Sequence, residues 1–252
     1  MHDKIQKEKE FHNTAFSDGR RANLNGIYAI IQPSIQKYIE LISQGCNGKS
    51  ILEYGCGPGS QAFTIAGQGA KVTGIDISEV AIAQAQEKAN KRGLDIEFLV
   101  ENAEDFDLGD NRFDSIIGSA IIHHLDISKA FTAITRVLKP DGKCVFFEPL
   151  GHNFFINLFR KLTPGLRTED EHPLRKDELE QITGYFRKVE IHYFHLVSLL
   201  LIPITRFSFF RGLLKVTEGI DRVLFKNFPF LRHQAWIVVM ELSEPVRKQR
   251  FS

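Results

Sequence analysis

Short apolar runs alternate with longer segments of helical periodicity between residues 50 and 150. Each apolar run is bounded by Gly, Pro, Asn or Asp, a pattern typical of buried strands joined by helices. Two more strand-like runs follow nearer the carboxyl terminus. The predicted strands are residues 50–54, 71–76, 95–100, 113–118, 142–148, 187–194 and 235–242. This alternation predicts an α/β fold built from βαβ units around a parallel sheet.

Three helices are predicted between these strands, near residues 59–68, 78–92 and 126–138. Ser78 and Asp126 stand at the starts of the second and third helices. Their side-chain oxygens are well suited to accept hydrogen bonds from the free N–H groups of a first helical turn. The predicted caps therefore agree with the alternation of strands and helices.

The 49 residues before the first strand have a different pattern. A polar helix is predicted over residues 2–13, followed by an amphipathic helix whose apolar residues recur at helical spacing from Ile27 to Ile42. Pro33 lies inside the second helix, and proline in a helix interior removes a hydrogen bond. We therefore expect this helix to be kinked or divided in two.

Two further segments interrupt the regular alternation. Residues 195–234 separate the last two predicted strands, are rich in Phe, Leu and Arg, and are broken by Pro203 and Pro229. This segment is predicted to form two helices that cover the carboxyl end of the sheet. Residues 149–178 form a second, more polar insert after the fifth strand.

A glycine-rich turn follows the first strand and carries the strongest chemical signal in the chain. An acid, Glu53, precedes three alternating glycines, Gly55, Gly57 and Gly59. Glycine allows the backbone to turn sharply and to approach a ligand where a Cβ atom would collide. Asp76 ends the next apolar run, at the offset where a carboxylate can accept hydrogen bonds from a ribose. These features predict a site for a nucleoside-containing cofactor.

The spacing of the glycines distinguishes between cofactors. A dinucleotide-binding fingerprint requires Gly-x-Gly-x-x-Gly, whereas here the third glycine comes one residue early. The acid followed by Gly-x-Gly-x-Gly resembles the first motif of the class I S-adenosylmethionine-dependent methyltransferases. The resemblance implies a Rossmann-like, doubly wound, seven-stranded and mostly parallel sheet whose last strand runs antiparallel beside the fifth. It also implies S-adenosyl-L-methionine as cofactor and S-adenosyl-L-homocysteine as product.

The strand pattern, the resemblance and the two flanking segments together divide the chain into functional parts. Residues 50–194 and 235–245 are expected to form the cofactor-binding core. Residues 1–49 are expected to form a helical lid, and residues 195–234 a helical insert that covers the acceptor site. The family usually joins its last two strands by a short turn, so the 40-residue insert is a departure from the family pattern.

The resemblance also implies which residues contact the cofactor. In related enzymes an Asp and an Ala after the third strand meet the adenine edge. Here Asn102 takes the place of the Asp, and its amide can both accept and donate a hydrogen bond. The predicted cofactor-binding residues are Glu53, Tyr54, Gly55, Cys56, Gly57, Gly59, Asp76, Ile77, Asn102, Ala103, Glu104 and Ser119.

A histidine pair follows the fourth strand. The segment from Phe113 to Leu125 resembles the family's Phe-Asp-x-Val and Leu-His-His-Leu pattern, with His123 and His124 as the pair. Methyl transfer to a hydroxyl requires removal of a proton, and histidine titrates near neutral pH. One of the two is therefore predicted to be the catalytic base. The alternative is that one histidine caps the next helix and the other packs.

A polar cluster after the fifth strand is predicted to bind the acceptor. Its members are Glu148, His152, Arg167, Glu171 and His172. The alternative is a structural role, with an ion pair between Arg167 and Glu171 and histidines that hold a long loop. The spacing matches no recognised metal-binding pattern, so no metal is predicted.

Composition and charge indicate the class of protein and the contacts that its surface can make. The chain of 252 residues is 43% hydrophobic and 25% charged, which is ordinary for a globular protein. Its net charge of +1 hides an asymmetry, because residues 187–252 carry 11 Lys and Arg against 5 Asp and Glu. This basic, aromatic-rich part suits contact with anionic lipid or an acidic substrate, or is a solvated basic face. The apolar residues of the insert 195–234 suit an apolar acceptor pocket, peripheral membrane contact, a dimer interface or plain core packing. The oligomeric state stays open.

The cysteines and the apolar runs bear on the compartment. Three cysteines without a Cys-x-x-Cys pair favour a reducing cytoplasm. The charged first ten residues hold no apolar core, so no signal peptide is predicted. The apolar run from Leu196 to Ile204 is far shorter than the roughly 20 residues that a membrane helix needs, so no transmembrane segment is predicted.

Together these features predict a cytoplasmic methyltransferase that acts on a small, apolar or lipid-like acceptor, with O-methylation favoured by the histidine pair. N- or C-methylation of a small metabolite and a cofactor-binding protein without catalysis are the alternatives. Nucleic acid is not expected as a partner. The first 186 residues hold 26 Asp and Glu against 21 Lys and Arg, and the amino-methylating Asn/Asp-Pro-Pro-Tyr/Phe motif is missing.

Overall fold

The computed structural model describes residues 29–59, 61–154, 156–157, 161 and 173–246. All seven predicted strands are present. They are β1 (Ser50–Tyr54), β2 (Lys71–Asp76), β3 (Ile96–Val100), β4 (Phe113–Ser119), β5 (Leu138–Pro149), β6 (Phe186–Phe194) and β7 (Ile237–Pro245). The α-helices are α1 (Gln32–Ser43), α2 (Gln61–Ala66), α3 (Glu79–Arg92), α4 (Ile127–Val137), α5 (Lys176–Thr183) and α6 (Phe210–Asn227). Short 3₁₀ helices cover Ile122–His124, Ser198–Ile204 and Pro229–Gln234.

The strands form one sheet in the order β3-β2-β1-β4-β5-β7-β6. Strands β1 to β5 are parallel, and β7 runs antiparallel between β5 and β6. The predicted Rossmann-like sheet with an antiparallel last strand is therefore confirmed. Both late strands have a composition that suits a sheet edge, but only β6 lies at the edge. Strand β7 is buried in its first half because its side chains enter the apolar cores on both faces of the sheet, Val238 and Met240 on one and Ile237 and Val239 on the other.

Helices cover both faces of the sheet, as a doubly wound fold requires. Tyr38 of α1 and Ala85 of α3 belong to the apolar core on one face. Phe131 of α4, Ile182 of α5 and Phe225 of α6 belong to the core on the other face. The two cores bury both sides of the central strands, which explains their nearly continuous apolar sequences.

The predicted helix caps are present. The Ser78 side chain accepts a hydrogen bond from Ala81 N (3.1 Å), and the Asp126 side chain accepts one from Lys129 N (3.1 Å). Gly93 ends α3 in the left-handed conformation at φ 63°. Pro33 lies in the first turn of α1, where a missing N–H removes no helical hydrogen bond. The predicted polar helix over residues 2–13 lies outside the described residues.

The prediction of two helices in residues 195–234 was wrong. The segment contains one α-helix, α6, between two 3₁₀ helices. It packs on a separate apolar cluster whose members include Ile30, Ile156 and Leu199. Trp236 N, at the end of the insert, donates to Phe194 O (3.0 Å) at the end of β6. The insert therefore begins and ends at the carboxyl edge of the parallel strands, next to the loop after β5, where Asn153 Nδ2 donates to Gln234 O (2.6 Å).

Candidate active site

The glycine loop after β1 is held in a conformation that requires glycine. Gly55 and Gly59 have φ values of 69° and 79°. A Cβ atom on Gly55 would lie 2.7 Å from the Ile121 side chain, in the segment that leads to the histidine pair. Glu53 is buried, and its carboxylate accepts from Gln61 N (3.1 Å) and Ala62 N (2.8 Å). Glu53 therefore caps the start of α2 and fixes the position where the glycine loop joins this helix.

Asp76 joins the loops that follow β1 and β2. One of its carboxylate oxygens accepts from Gly57 N (2.8 Å), and the other accepts from Ser78 N (2.9 Å). The side chain is half-buried, as is its neighbour Ile77. The structure thus places a partly accessible carboxylate directly beside the glycine loop, as the sequence predicted.

Two predicted cofactor residues direct their side chains into the protein. Tyr54 is fully buried, and its hydroxyl donates to the carbonyl oxygen of Ala103. Cys56 is 2% exposed, and burial raises the pKa of its thiol far above the usual range. These positions can therefore offer a ligand their backbone rather than their side chains. The Tyr54 hydroxyl in addition fixes the loop that carries Asn102 and Ala103.

The loop after β3 is held by its own side chains. Asn102 Oδ1 accepts from Glu104 N (3.0 Å). Glu104 in turn accepts from Asp126 N (2.8 Å) and lies 3.3 Å from Lys129 Nζ. Glu104 therefore ties this loop to the start of α4. Ser119, at the end of β4, is exposed at the same edge of the sheet.

A buried acid and a buried histidine form the central feature of the site. His123 Nδ1 lies 2.7 Å from Glu148 Oε2, at the carboxyl ends of β4 and β5. The other carboxylate oxygen accepts from Ile121 N (2.9 Å) and Ile122 N (2.8 Å). His123 is 6% exposed and Glu148 is fully buried. The sequence predicted both residues for the site but did not predict that they pair.

The second histidine stands beside the first and is more accessible. The rings of His123 and His124 have centroids 4.2 Å apart, and His124 is half-buried. Both lie on the 3₁₀ helix that follows Ala120, a residue with φ 54°. Alanine rarely adopts this conformation, which Ala120 N helps to hold by donating to Phe147 O (2.8 Å). The strained turn directs the histidine pair back toward β5.

Two members of the predicted acceptor-binding cluster, Glu148 and His152, lie within the described residues and have different partners. Glu148 pairs with His123, whereas His152 is exposed and its Nε2 accepts from Lys176 N (3.0 Å) at the start of α5. Arg167, Glu171 and His172 lie outside the described residues. No group of three or more His, Cys, Asp or Glu side chains within the described ranges is arranged to hold a metal ion.

A second polar network lies in the insert and was not predicted. His195 Nε2 lies 2.8 Å from Ser34 Oγ of α1, and His195 Nδ1 lies 3.3 Å from Ser198 Oγ. Ser198 Oγ donates to Asp221 of α6 (2.9 Å). Burial lowers the pKa of His195 to about 3. Ser34 and His195 are 161 positions apart, so no short sequence pattern could reveal the contact.

A groove of about 650 Å³ lies between α1, β6 and α6. Its walls include Lys37, Tyr193 and Arg222. None of the glycine-loop residues and neither His123 nor His124 lines it. The groove is therefore separate from the loops that carry the predicted cofactor and catalytic residues.

Comparison with known proteins identifies the central part of the chain. Residues 52–146 match a family model described as a methyltransferase domain. The ubiquinone biosynthesis O-methyltransferase of Coxiella burnetii (strain RSA 493 / Nine Mile phase I) is 33% identical over 131 residues. The alignment covers 52% of this chain and 55% of that protein. The chain thus spans about half the length of the curated relatives it matches.

Solved structures show the same fold. Phosphoethanolamine N-methyltransferase 2 of Haemonchus contortus, in complex with S-adenosyl-L-methionine, superposes with a TM-score of 0.61 at 19% identity, covering 93% of this chain and 60% of that one. Magnesium protoporphyrin IX methyltransferase of Synechocystis PCC 6803, with bound S-adenosylhomocysteine, superposes with a TM-score of 0.60 at 15% identity, covering 95% and 99%. At sequence identities of 19% and 15%, these superpositions establish the fold alone.

Residues 52–146 are therefore a methyltransferase domain, and they lie within the fold of the class I S-adenosylmethionine-dependent methyltransferases. The methyl donor of this class is S-adenosylmethionine. The predicted fold is confirmed, and the match of residues 52–146 to a methyltransferase domain supports the predicted enzyme class and cofactor. The assignment of individual site residues stays a prediction.

Proposed function

We propose that this protein transfers a methyl group from S-adenosylmethionine to a hydroxyl group of a small, apolar or lipid-like acceptor in the cytoplasm. The observation that carries the proposal is the 2.7 Å contact between His123 Nδ1 and Glu148 Oε2. The pair lies at the carboxyl ends of β4 and β5, next to the turn that contacts the glycine loop. Open α/β sheets bind their ligands at this edge.

The residues of the first three loops fit the cofactor. Gly55 and Gly59 turn the loop at positive φ values that other residues rarely adopt, and Asp76 offers a partly accessible carboxylate beside the loop. In this proposal Asp76 binds the ribose hydroxyls, and Asn102 with Ala103 meets the adenine edge. S-adenosylmethionine, when bound, supplies a methyl group activated by its positively charged sulfur. The loops have to hold that group in line with the acceptor.

The Glu148 carboxylate determines how His123 can act. A carboxylate accepts hydrogen bonds, so it favours the histidine tautomer with its proton on Nδ1. Nε2 then keeps its lone pair and can take a proton from the acceptor hydroxyl. Two backbone N–H groups hold the other oxygen of Glu148 and fix the carboxylate in place. Glu148 is thus a positioning residue and His123 the proposed base.

The insert supports an apolar acceptor. It begins and ends at the same edge of the sheet, where Asn153 donates to the carbonyl of Gln234 (2.6 Å). Side chains near this contact form an apolar cluster with members from residues 30, 156 and 199–214. The matching relatives are named as O-methyltransferases, which supports transfer to oxygen. The three buried, unpaired cysteines suit a reducing compartment.

Calorimetry tests the cofactor part of the proposal. We expect the full chain to bind S-adenosylmethionine and S-adenosylhomocysteine and to show no comparable affinity for NAD. Tight binding of NAD without binding of S-adenosylmethionine would contradict it. Transfer of labelled methyl to extracted metabolites then tests for catalysis and separates the enzyme from a non-catalytic binding protein.

Two histidine variants test the base. We expect His123→Gln to lower kcat by about a hundredfold or more, because a positioned base contributes at least that factor. The affinity for S-adenosylmethionine should stay unchanged. His124→Gln, the matched control on the neighbouring ring, should lose less than tenfold. The opposite order of losses would make His124 the base.

The pH profile provides a second readout that a purely structural role would not produce. Because the base must be neutral to accept a proton, the rate should fall as the pH drops through the titration of a histidine. A rate that is flat between about pH 5.5 and 8.5 would rule out a histidine base. It would leave N- or C-methylation as the better explanation of a working enzyme.

A further inference from the structure

Helix α6 presents a second apolar face, in addition to the one that packs against the protein. Its buried residues are Phe210, Leu214, Asp221 and Phe225. Leu213, Val216, Ile220 and Val223 recur at helical spacing on a different side, and their exposed fractions are 39%, 59%, 43% and 57%. A surface helix of a globular protein normally has one apolar face, toward the core. The exposed ridge therefore requires a separate explanation.

Aromatic side chains extend the ridge at both ends of the helix. Phe207 and Phe209 stack before it with ring centroids 5.4 Å apart, and Phe228 and Phe230 meet after it at 6.1 Å. All four are between 46% and 68% exposed. Nine of the twelve large apolar side chains exposed among the described residues lie between positions 200 and 230. This concentration is typical of a docking surface.

A basic stripe runs along α6 beside the ridge. Arg211, Lys215, Arg222 and Lys226 are spaced by four, seven and four residues, so they share one side of the helix, and all are exposed. Of the two acids on the helix, Asp221 is buried and accepts hydrogen bonds from Val197 N and Ser198 Oγ. The other, Glu218, is half-buried. The accessible surface of α6 is therefore apolar and positively charged.

We propose that α6 and the phenylalanine pairs at its ends dock the protein onto an anionic membrane surface. The apolar ridge would enter the boundary between headgroups and acyl chains, and the basic stripe would lie among the lipid phosphates. An amphipathic helix of this kind lies in the plane of the surface. In the described part of the chain no helix is both long and apolar enough to cross a bilayer. The inference stands on this surface alone and does not depend on the proposed reaction.

The charge of the stripe favours a membrane over a second copy of the chain. A two-fold dimer brings the same patch of both subunits together. The stripe would then face itself, and like charges at close range oppose association. An anionic bilayer satisfies both the apolar ridge and the basic stripe at once.

Vesicle co-sedimentation of the full chain tests the proposal. The probes are vesicles of phosphatidylcholine alone and of phosphatidylcholine with about one third phosphatidylglycerol, a composition that gives a strongly anionic surface. We expect binding at least about tenfold tighter to the anionic vesicles, weakened by added salt. Equal binding to both kinds of vesicle, or binding to neither, would overturn the proposal.

Two sets of variants separate the ridge from the stripe. Lys215→Gln with Lys226→Gln should weaken binding by about 25-fold, because each cation near an anionic surface contributes about fivefold. Val216→Ser, Ile220→Ser and Val223→Ser together should abolish detectable binding. The matched controls Lys188→Gln and Val189→Ser change exposed residues of β6, and they should bind like the wild type.

Two outcomes of these experiments would contradict the proposal. An equal loss in the β6 controls would show that the effect is not specific to α6. Sedimentation that reveals a dimer, lost in the ridge variant, would assign the ridge to a second copy. The lysine variants alter only exposed side chains. They therefore provide the test even if the ridge variant is poorly folded.

Discussion

The carboxyl edge of the sheet is built in two different ways along its length. At the loops after β1 and β2, hydrogen bonds join groups that are close in the chain, such as Glu53 with Ala62 and Gly57 with Asp76, 9 and 19 positions apart. In the loop after β5 and in the insert between β6 and β7, the contacts join residues that are far apart in the chain. Asn153 bonds to Gln234 over 81 positions, and Ser34 contacts His195 over 161.

The loops after β1 and β2, the first half of the edge, are determined by a local sequence motif. The second half, around the insert, is determined by tertiary contacts. In the first half a short stretch contains both the turn and the carboxylates that hold it, so the loop is largely formed once its strands pair. In the second half an insert must dock on α1 and β6 before its polar groups find their partners. We therefore expect substitutions in the first half to affect cofactor binding and those in the second to leave it unchanged.

The largest effect is expected for Glu53→Ala. The substitution removes the acceptor of two backbone N–H groups at the buried start of α2. Hydrogen bonds to a carboxylate are worth about 1.5–3 kcal/mol each, so the free energy of unfolding should fall by about 4 kcal/mol. Calorimetry should show an affinity for S-adenosylmethionine reduced by more than about tenfold.

Glu53→Gln is the matched control, because it keeps one acceptor oxygen in the same place. It should lose about half as much stability as the alanine variant. An alanine variant that is folded and binds S-adenosylmethionine as tightly as the wild type would show that the cap does not shape the cofactor loop.

Asp221→Ala makes the corresponding change in the insert. The Asp221 carboxylate is 4% exposed and accepts from Leu196 N (3.1 Å), Val197 N (2.7 Å) and Ser198 Oγ (2.9 Å). Its loss leaves buried donors unpaired, and we expect urea unfolding to show a loss of about 3 kcal/mol. The affinity for S-adenosylmethionine should stay within about twofold of the wild type. A large loss of cofactor affinity would show that the two halves are coupled.

Much of the first half could be predicted from the sequence because its determinants are local. The strand pattern, the glycine spacing, Asp76, and the caps Ser78 and Asp126 each depend on neighbouring residues. The pairing of His123 with Glu148 could not be predicted, although both residues were candidates. They are 25 positions apart, His123 on the 3₁₀ helix after β4 and Glu148 near the end of β5. The pairing of β4 with β5 and the turn at Ala120 together bring them into contact.

The insert was predicted less well for a related reason. Its apolar residues indicate helix, but Pro203 lies inside the first helical segment, which is 3₁₀. His195, at φ 66°, turns the chain directly after β6, and the buried Asp221 caps the segment from a distant helix. These features act through tertiary contacts, so periodicity alone could not determine the number or type of helices.

His195, in the second half of the edge, makes the free energy of unfolding depend on pH. Its pKa is lowered by burial from an ordinary value near 6.5 to about 3, so the folded protein keeps the ring neutral. The unfolded chain binds the extra proton below about pH 6.5, and stability is therefore lost as the pH falls from that value toward 3. Between pH 7 and 5 this contribution amounts to about 2 kcal/mol.

Urea unfolding of His195→Asn measures that contribution, since asparagine tolerates the positive φ at this position. The variant should be less stable than the wild type at pH 7, and the difference should shrink by about 2 kcal/mol at pH 5. Stability curves of the two proteins that run parallel across this range would mean that His195 is not a buried neutral ring.

The smallest effect is expected at the ion pair between Glu104 and Lys129, which joins the loop after β3 to α4 at 3.3 Å. Lys129 is 39% exposed, and such pairs are worth at most about 1 kcal/mol, so Lys129→Met should cost about 0.5 kcal/mol in thermal unfolding. Glu104→Gln should lower the stability by a similar amount, since the amide oxygen still accepts a hydrogen bond from Asp126 N. Because the Glu104 side chain binds the start of α4 and, within the described residues, makes no hydrogen bond to the glycine loop, we expect neither variant to change the affinity for S-adenosylmethionine by more than about twofold. A tenfold loss confined to Glu104→Gln would instead make Glu104 a cofactor ligand, as its resemblance to the family motif predicts.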